Sequence, residues 1–236
     1  MLEADLHVHT LFSNCGIHTY IEMLTRARQL GIKAVAITDH GPAIGGRVTR
    51  PAFERLHDPV DGVRLLKGME CNVLAENGNI DLPAAIMQYL DIVLLGLHHN
   101  LPPGLSKAAC TDLMLAAMEH NPCVDIITHA NDAVYPVDFD AVAALARERG
   151  MAVEINNSKT RLGRTTPEAV RSLVDACRRA RCLVAVTSDA HAIGELGDDS
   201  AVKPYLEEAA YPPELVLTRD AESAFAFIER RRENKR

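Results

Sequence analysis

The chain has 236 residues, with 25 Lys and Arg against 32 Asp and Glu, which gives a formal charge of −7. That length fits one domain over residues 1–236, and 47% hydrophobic with 24% charged residues excludes a disordered or low-complexity chain. Net acidity, 4% aromatic residues and no Trp disfavour a general nucleic-acid binder, which needs a basic surface or stacking platforms.

No apolar run approaches the roughly 18 residues of a membrane span, and the opening Met-Leu-Glu-Ala-Asp, with no basic or apolar leader segment, is not expected to be a secretory signal. The six cysteines form no CxxC pair. They read as small buried hydrophobes in a reducing cytoplasm, with Cys15 as the exception. Short apolar runs over residues 4–9, 33–38, 63–70, 91–97, 124–128, 152–155 and 183–187 read as strands. Helical periods over residues 19–30, 107–119, 139–149 and 167–179 lie between them. Gly31 follows the first helix as a C-cap, and Thr166-Pro167 opens the last with an N-cap and Pro at the first position. A short strand at residues 215–217 and a helix at 221–232 close the chain, with a frayed end of mixed charge. Residues 41–62, rich in Gly and Pro, read as a long surface loop near a site, and Asn77-Gly78 as a hairpin turn. Val-, Ile- and Leu-rich strands interleaved with helices imply a mainly parallel α/β sheet buried on both faces. Periodicity leaves open whether that sheet is open or closed.

Polar residues gather at the strand ends. Asp5, His7 and His9 lie on the first strand, and Asp39-His40 follow the second. Glu70 ends the third, His98-His99 the fourth and His129 the fifth. Glu154, Asn156 and Asn157 end the sixth, and Asp189 and His191 follow the seventh. Seven of the ten histidines thus sit at the carboxyl edge, where α/β folds build their sites. The spacing by two puts Asp5, His7 and His9 on one strand face, with the imidazoles about 7 Å apart at their bases. A lone strand histidine is as readily a hydrogen-bonded core residue. Seven together would each need a separate partner. Metal ligation explains them together, and more ligands than one zinc uses imply two or three ions.

DLHVHT, AITDHG, the lone Glu70, GLHH, ITHA, EINNS and SDAH, in this order over residues 4–195, resemble the motifs of the PHP (polymerase and histidinol phosphatase) family. The best match is its single-domain bacterial phosphoesterase branch. The resemblance implies a distorted (β/α)7 barrel with its site at the carboxyl ends of the strands, and two to three divalent metals such as Zn, Mn or Fe. It implies that His7, His9, Glu70 and Asp189 hold one metal, that Glu70 bridges to a second on His98 and His129, and that His40 and His191 hold a third. The family's usual histidine ten residues after the first aspartate is Cys15 here, with His18 as the rival ligand. It also implies a small homo-oligomer. Glu70, Asp189 and His191 are the candidate catalytic residues. Asp5 and Asp39 are expected to orient histidines, and Asn156 to face the pocket. Arg47, Arg50, Lys159, Arg161 and Arg164 are candidate binders of a substrate phosphate. His57 and His120 read as surface residues. The function expected is hydrolysis of a small phosphomonoester, with a histidinol-phosphate phosphatase or a nuclease or nucleotide phosphatase as alternatives, and a non-catalytic metal-binding scaffold as the rival class.

Overall fold

A computed structural model describes residues 2–75 and 78–232. Seven strands run parallel in chain order: β1 Ala4–Val8, β2 Ala34–Ile37, β3 Arg64–Asn72, β4 Ile92–Gly96, β5 Ile126–Ile127, β6 Ala152–Asn156 and β7 Leu183–Thr187. Around them lie α1 Tyr20–Leu30, α2 Arg50–Arg55, α3 Ala84–Met87, α4 Lys107–His120 and α5 Phe139–Arg149. These are followed by α6 Asn157–Arg161, α7 Pro167–Ala180, α8 Lys203–Glu208 and α9 Ala221–Arg231. Thr19 and Glu22 form a capping box at the head of α1, and Gly31 ends it at φ 77°.

β3 pairs with β2 through residues 64–67 and with β4 through residues 68–72. This stagger tilts the strands and curls the sheet into a nearly closed barrel. Its edges meet at one bridge, Val8 to Ala190, where the His9 N–H donates to the Ala190 carbonyl at 2.8 Å. The strand expected at 215–217 is instead two 3-10 turns, Pro213–Leu215 and Leu217–Arg219. Pro212 and Pro213 donate no N–H to a ladder, so only Val216 pairs, bridging to Val184. The long loop after β2 carries a 3-10 turn, Pro42–Ile44, and α2. Asn77 of the expected hairpin lies outside the described residues, while Val73 and Ile80 on either side pair antiparallel.

Alternation splits the core in two. Val35, Met69, Val93, Val153 and Val184 pack outward beneath the helices. Ala4, Leu6, Ala36, Leu66, Leu94 and Ala185 fill the barrel, which Ala224, Phe227 and Ile228 of α9 plug at its amino-terminal end. The same helical period brings Arg231 inward, which corrects its reading as part of a frayed tail; residues 233–236 lie outside the described residues. Arg231 is 5% exposed. Its Nε donates to Asp125 Oδ1 at 3.1 Å, and its terminal nitrogens donate to the carbonyls of Pro122, Val124 and Arg149. Arg231→Met removes the cation beside the buried Asp125 carboxylate and should destabilise the fold by about 3 kcal/mol, or roughly 10 °C in Tm. Thermal and urea unfolding measure it; a loss under about 1 kcal/mol would show that the plug holds without the ion pair.

Candidate metal centre

The β1–β2 register slips between Asp5 and Val8. A bulge of this kind re-aims the side chains beyond it. Leu6 packs inside the barrel, yet His7 and His9 also meet there, with their Nε2 atoms 2.9 Å apart. The slip takes Asp5 out of this group. Asp5 accepts from the Ser188 N–H and hydroxyl and the Gly197 N–H, so it ties β1 to the loop after β7. The expectation that it orients an imidazole is corrected.

Glu70, fully buried on β3, is the centre of the cluster. Its Oε2 lies 2.8 Å from His40 Nδ1, 3.3 Å from His7 Nε2 and 3.5 Å from His9 Nε2. Its Oε1 lies 2.9 Å from His129 Nε2 and 3.2 Å from His98 Nε2. Asp189 Oδ1 stands 3.2 Å from His9 Nε2 and 3.6 Å from His7 Nε2. Three groups have ligand atoms within 4.8 Å of one another: His7, His9 and Asp189; His40, Glu70 and His98; and His9, Cys15, His40 and His191. His129 joins them through Glu70 Oε1.

Buried partners hold the ligand atoms inward. His7 Nδ1 is 2.6 Å from Glu154 Oε1, a pure acceptor, so Nδ1 carries the proton and Nε2 offers its lone pair. His9 Nδ1 meets Ser13 Oγ at 3.0 Å. That hydroxyl donates to Asp39 Oδ1 at 2.6 Å, so it accepts from His9. Asp39 thus orients His9 through Ser13 while capping the turn at Thr10. The His191 Nδ1–H donates to the Asp189 carbonyl at 2.9 Å, leaving its Nε2 free. Asn156 Nδ2 donates to Asp189 Oδ2 and to Glu154 Oε2, each at 3.0 Å. Ser13, Thr128 and Thr187 were not anticipated; a lone hydroxyl carries no signal in sequence. Gly96 leaves room for the rings, since a Cβ there would come within 2.7 Å of His98 Cε1 and 2.9 Å of His129 Cε1. His129 and Asp189 both hold a left-handed backbone, φ 31° and 51°, at a cost of about 1–3 kcal/mol each.

The electrostatics follow from burial opposed by neighbours. Burial drives the Glu70 carboxyl up, but His7, His98 and His40 hold it well below the usual range. Burial pulls His7 down, and Glu154, Glu70 and Asp189 raise it well above an ordinary imidazole. His98 is pushed down to about 4 by burial, against Glu70. Cys15 is exposed, while the five other cysteines are buried. Its partial desolvation is outweighed by hydrogen bonds to His191 and His40, which bring the thiol down to about 6.

The residues fit divalent cations. Glu70 Oε2, His40 Nδ1 and both nitrogens of His98 are buried without a hydrogen-bond partner. His40 Nδ1 and Glu70 Oε2 lie 2.8 Å apart out of hydrogen-bond alignment. Such orphaned atoms are costly in a protein interior, and a shared cation satisfies them together. Imidazole nitrogen, carboxylate oxygen and one sulfur suit Zn, Mn or Fe.

A cavity of about 580 Å³ opens on the cluster, lined also by Ile44, His99, Val134, Tyr135, Leu162 and Arg164. Of the five candidate cations it brings Lys159 and Arg164 to this wall. Lys159 Nζ is taken by Asp132 Oδ2 at 2.7 Å and Arg161 by Glu195 Oε1 at 2.6 Å. Arg47 donates to the Leu11 carbonyl and Arg50 to Glu54 Oε1, both away from the lining. Arg164 is exposed, with no side-chain partner among the described residues. His18 Nδ1 accepts from the Ile193 N–H at 3.4 Å, outside the three groups. His57 and His120 are exposed, away from the cavity.

A PHP domain model matches residues 5–158. A probable phosphatase of Shewanella sediminis is 36% identical over 231 residues, 96% of this chain and 94% of the relative. One of Caldanaerobacter subterraneus subsp. tengcongensis is 35% identical over 237 residues, 98% and 92%. Among solved structures, histidinol phosphate phosphatase of Lactococcus lactis, complexed with zinc, L-histidinol and phosphate, gives a TM-score of 0.60 at 13% identity. That match covers 97% of this chain and 93% of the other. A chain of archaeal ribonuclease P with mature tRNA gives 0.61 at 13% identity, covering 97% and 91%. At these identities the solved structures share the barrel and carry no argument about its use.

Proposed function

The chain belongs to the PHP domain family, and on that premise we propose that it is a metal-dependent phosphatase acting on a small phosphomonoester. The observation that carries this is Glu70, whose two oxygens face separate imidazole sets across a buried cluster at the floor of an open cavity. His7, His9, Glu70 and Asp189 would hold one cation, Glu70, His98 and His129 a second, and Cys15, His40 and His191 a third. Bound cations would supply Lewis acidity toward the phosphoryl oxygens and activation of water near neutral pH. Asn156 donates to Asp189 Oδ2, which holds Oδ1 toward His7 and His9 as a would-be ligand. Glu154 and Ser13 hold His7 and His9 with their lone pairs inward. The reaction needs no serine or cysteine nucleophile.

The cavity exceeds a phosphate group and suits an ester with an organic leaving group. Ile44, Val134, Tyr135 and Leu162 offer that group apolar contact. A reducing setting suits six cysteines that form no disulfide. The test is hydrolysis of p-nitrophenyl phosphate by chelator-stripped protein with Mn²⁺ or Zn²⁺ added back. No metal-dependent turnover on any phosphoester would leave a non-catalytic metal-binding domain as the reading.

Arg164 is the guanidinium left for the substrate phosphate. Inorganic phosphate should inhibit competitively, and Arg164→Ala should raise both KM and the phosphate inhibition constant about tenfold, ~1.4 kcal/mol. Its kcat should stay within about twofold. Arg47→Ala and Arg50→Ala, whose guanidinium groups are engaged elsewhere, should change none of these constants. If Arg164→Ala also changes none of them, the cations at the floor bind phosphate alone.

A further inference from the structure

The three groups of donors differ in chemistry. His7, His9 and Asp189, and likewise His40, Glu70 and His98, offer nitrogen and carboxylate oxygen from the barrel interior. The remaining group brings a sulfur, and it lies at the open edge, where Cys15 is exposed and the His191 side chain is 29% exposed. We propose that Cys15, His40 and His191 form a thiolate–imidazole site at the cavity edge that takes zinc and discriminates against manganese.

The placement of each donor supports this. The turn carrying Cys15 is fixed from both ends, with Thr10 and Ser13 bound to Asp39 and the Ile17 N–H donating to the His191 carbonyl at 3.0 Å. Gly16 allows that turn, since a Cβ there would meet the Thr10 carbonyl oxygen at 2.2 Å. The sulfur therefore does not sit on a free loop; it lies within 4.8 Å of the ligand atoms of both His40 and His191. His9 lies between these rings, 4.3 Å from each by ring centroids. His191 has its Nδ1–H committed to the Asp189 carbonyl, which leaves Nε2 as its ligand atom. Zinc accepts three protein ligands of this kind and keeps a fourth position open. On binding, the thiol proton leaves to solvent as the zinc–sulfur bond forms. Soft sulfur favours zinc, whereas manganese prefers oxygen donors.

This inference rests on the metal-dependent reading above, but its test reads spectra, stoichiometry and labelling instead of turnover. Stripped protein titrated with Co²⁺ should develop a sulfur-to-cobalt charge-transfer band in the near ultraviolet. Cys15→Ser should lose the band, and His18→Ala should keep it. The zinc-loaded chain should hold one ion more than the manganese-loaded chain, and Cys15→His should erase that difference. Zn²⁺ should slow alkylation of Cys15 by iodoacetamide at least tenfold, with Mn²⁺ leaving it unchanged; the other cysteines are buried. A cobalt band absent in wild type or kept in Cys15→Ser refutes the thiolate ligand, as does free alkylation of the zinc-loaded chain. Equal zinc and manganese stoichiometry refutes the discrimination. Metal binding of the expected kind with no phosphoester hydrolysis would refute the proposed function and leave this site standing.

Discussion

Glu70→Gln should lower metal-dependent turnover about a thousandfold, ~4 kcal/mol of transition-state stabilisation, and reduce bound metal. The carboxylate has no solvent to share its charge with, being fully buried, and it faces five imidazoles: His7, His9 and His40 through Oε2, His98 and His129 through Oε1. One carboxylate in that position neutralises charge on two sides at once. An amide supplies no charge, and its NH2 group cannot act as a ligand. Thr128 already donates its hydroxyl to Oε1 at 2.9 Å, so an amide nitrogen on that side would meet a donor. The measurement pairs kcat/KM with metal content by elemental analysis, and circular dichroism controls for folding. Wild-type metal content together with a wild-type rate would remove Glu70 from the centre of the cluster.

Much of the barrel was legible because its signals are local. Each strand lies in a short, mostly apolar run, and β7 and α5 fall at their expected bounds. Thr166 before Pro167 caps α7 as its chemistry requires. The carboxyl-edge histidines could be read because parallel strands end on one side, and the structure brings six of the seven into contact or ring proximity. His99 is the seventh; it is exposed on the cavity wall. What could not be read depends on pairing across the fold. The slip in β1 that separates Asp5 from His7 is set by β2, against which it pairs. Lys159 and Asp132, or Arg161 and Glu195, lie far apart in sequence, so which cations are engaged is invisible before the loops meet. Ungapped counting put Cys15 in the place of a histidine, and the turn brings its sulfur to His40 and His191 while His18 turns to the Ile193 N–H.

Glu154 shows how a residue that need not touch substrate can govern the site. Its four neighbours all donate to it. Oε1 faces His7 Nδ1 at 2.6 Å and the Thr187 hydroxyl, and Oε2 accepts the His129 N–H at 2.6 Å and Asn156 Nδ2 at 3.0 Å. Burial drives its carboxyl up, but His7 and His129 together hold it below the usual range. A carboxylate is the side chain that can accept on every side, and Glu154→Gln must point an N–H at one pair of donors. Either orientation disturbs His7 or the left-handed turn at His129, φ 31°. We expect Glu154→Gln to cost about 1–3 kcal/mol of stability and to weaken metal affinity about 10–100-fold, with kcat falling alongside at subsaturating metal. Excess metal should recover much of the rate, because the ligands themselves remain. Glu154→Asp, which restores the charge on a shorter arm, should retain more affinity than Glu154→Gln. A positioning role thus predicts rescue by metal and by the acid. If kcat stays low at saturating metal, Glu154 acts on the reacting groups themselves.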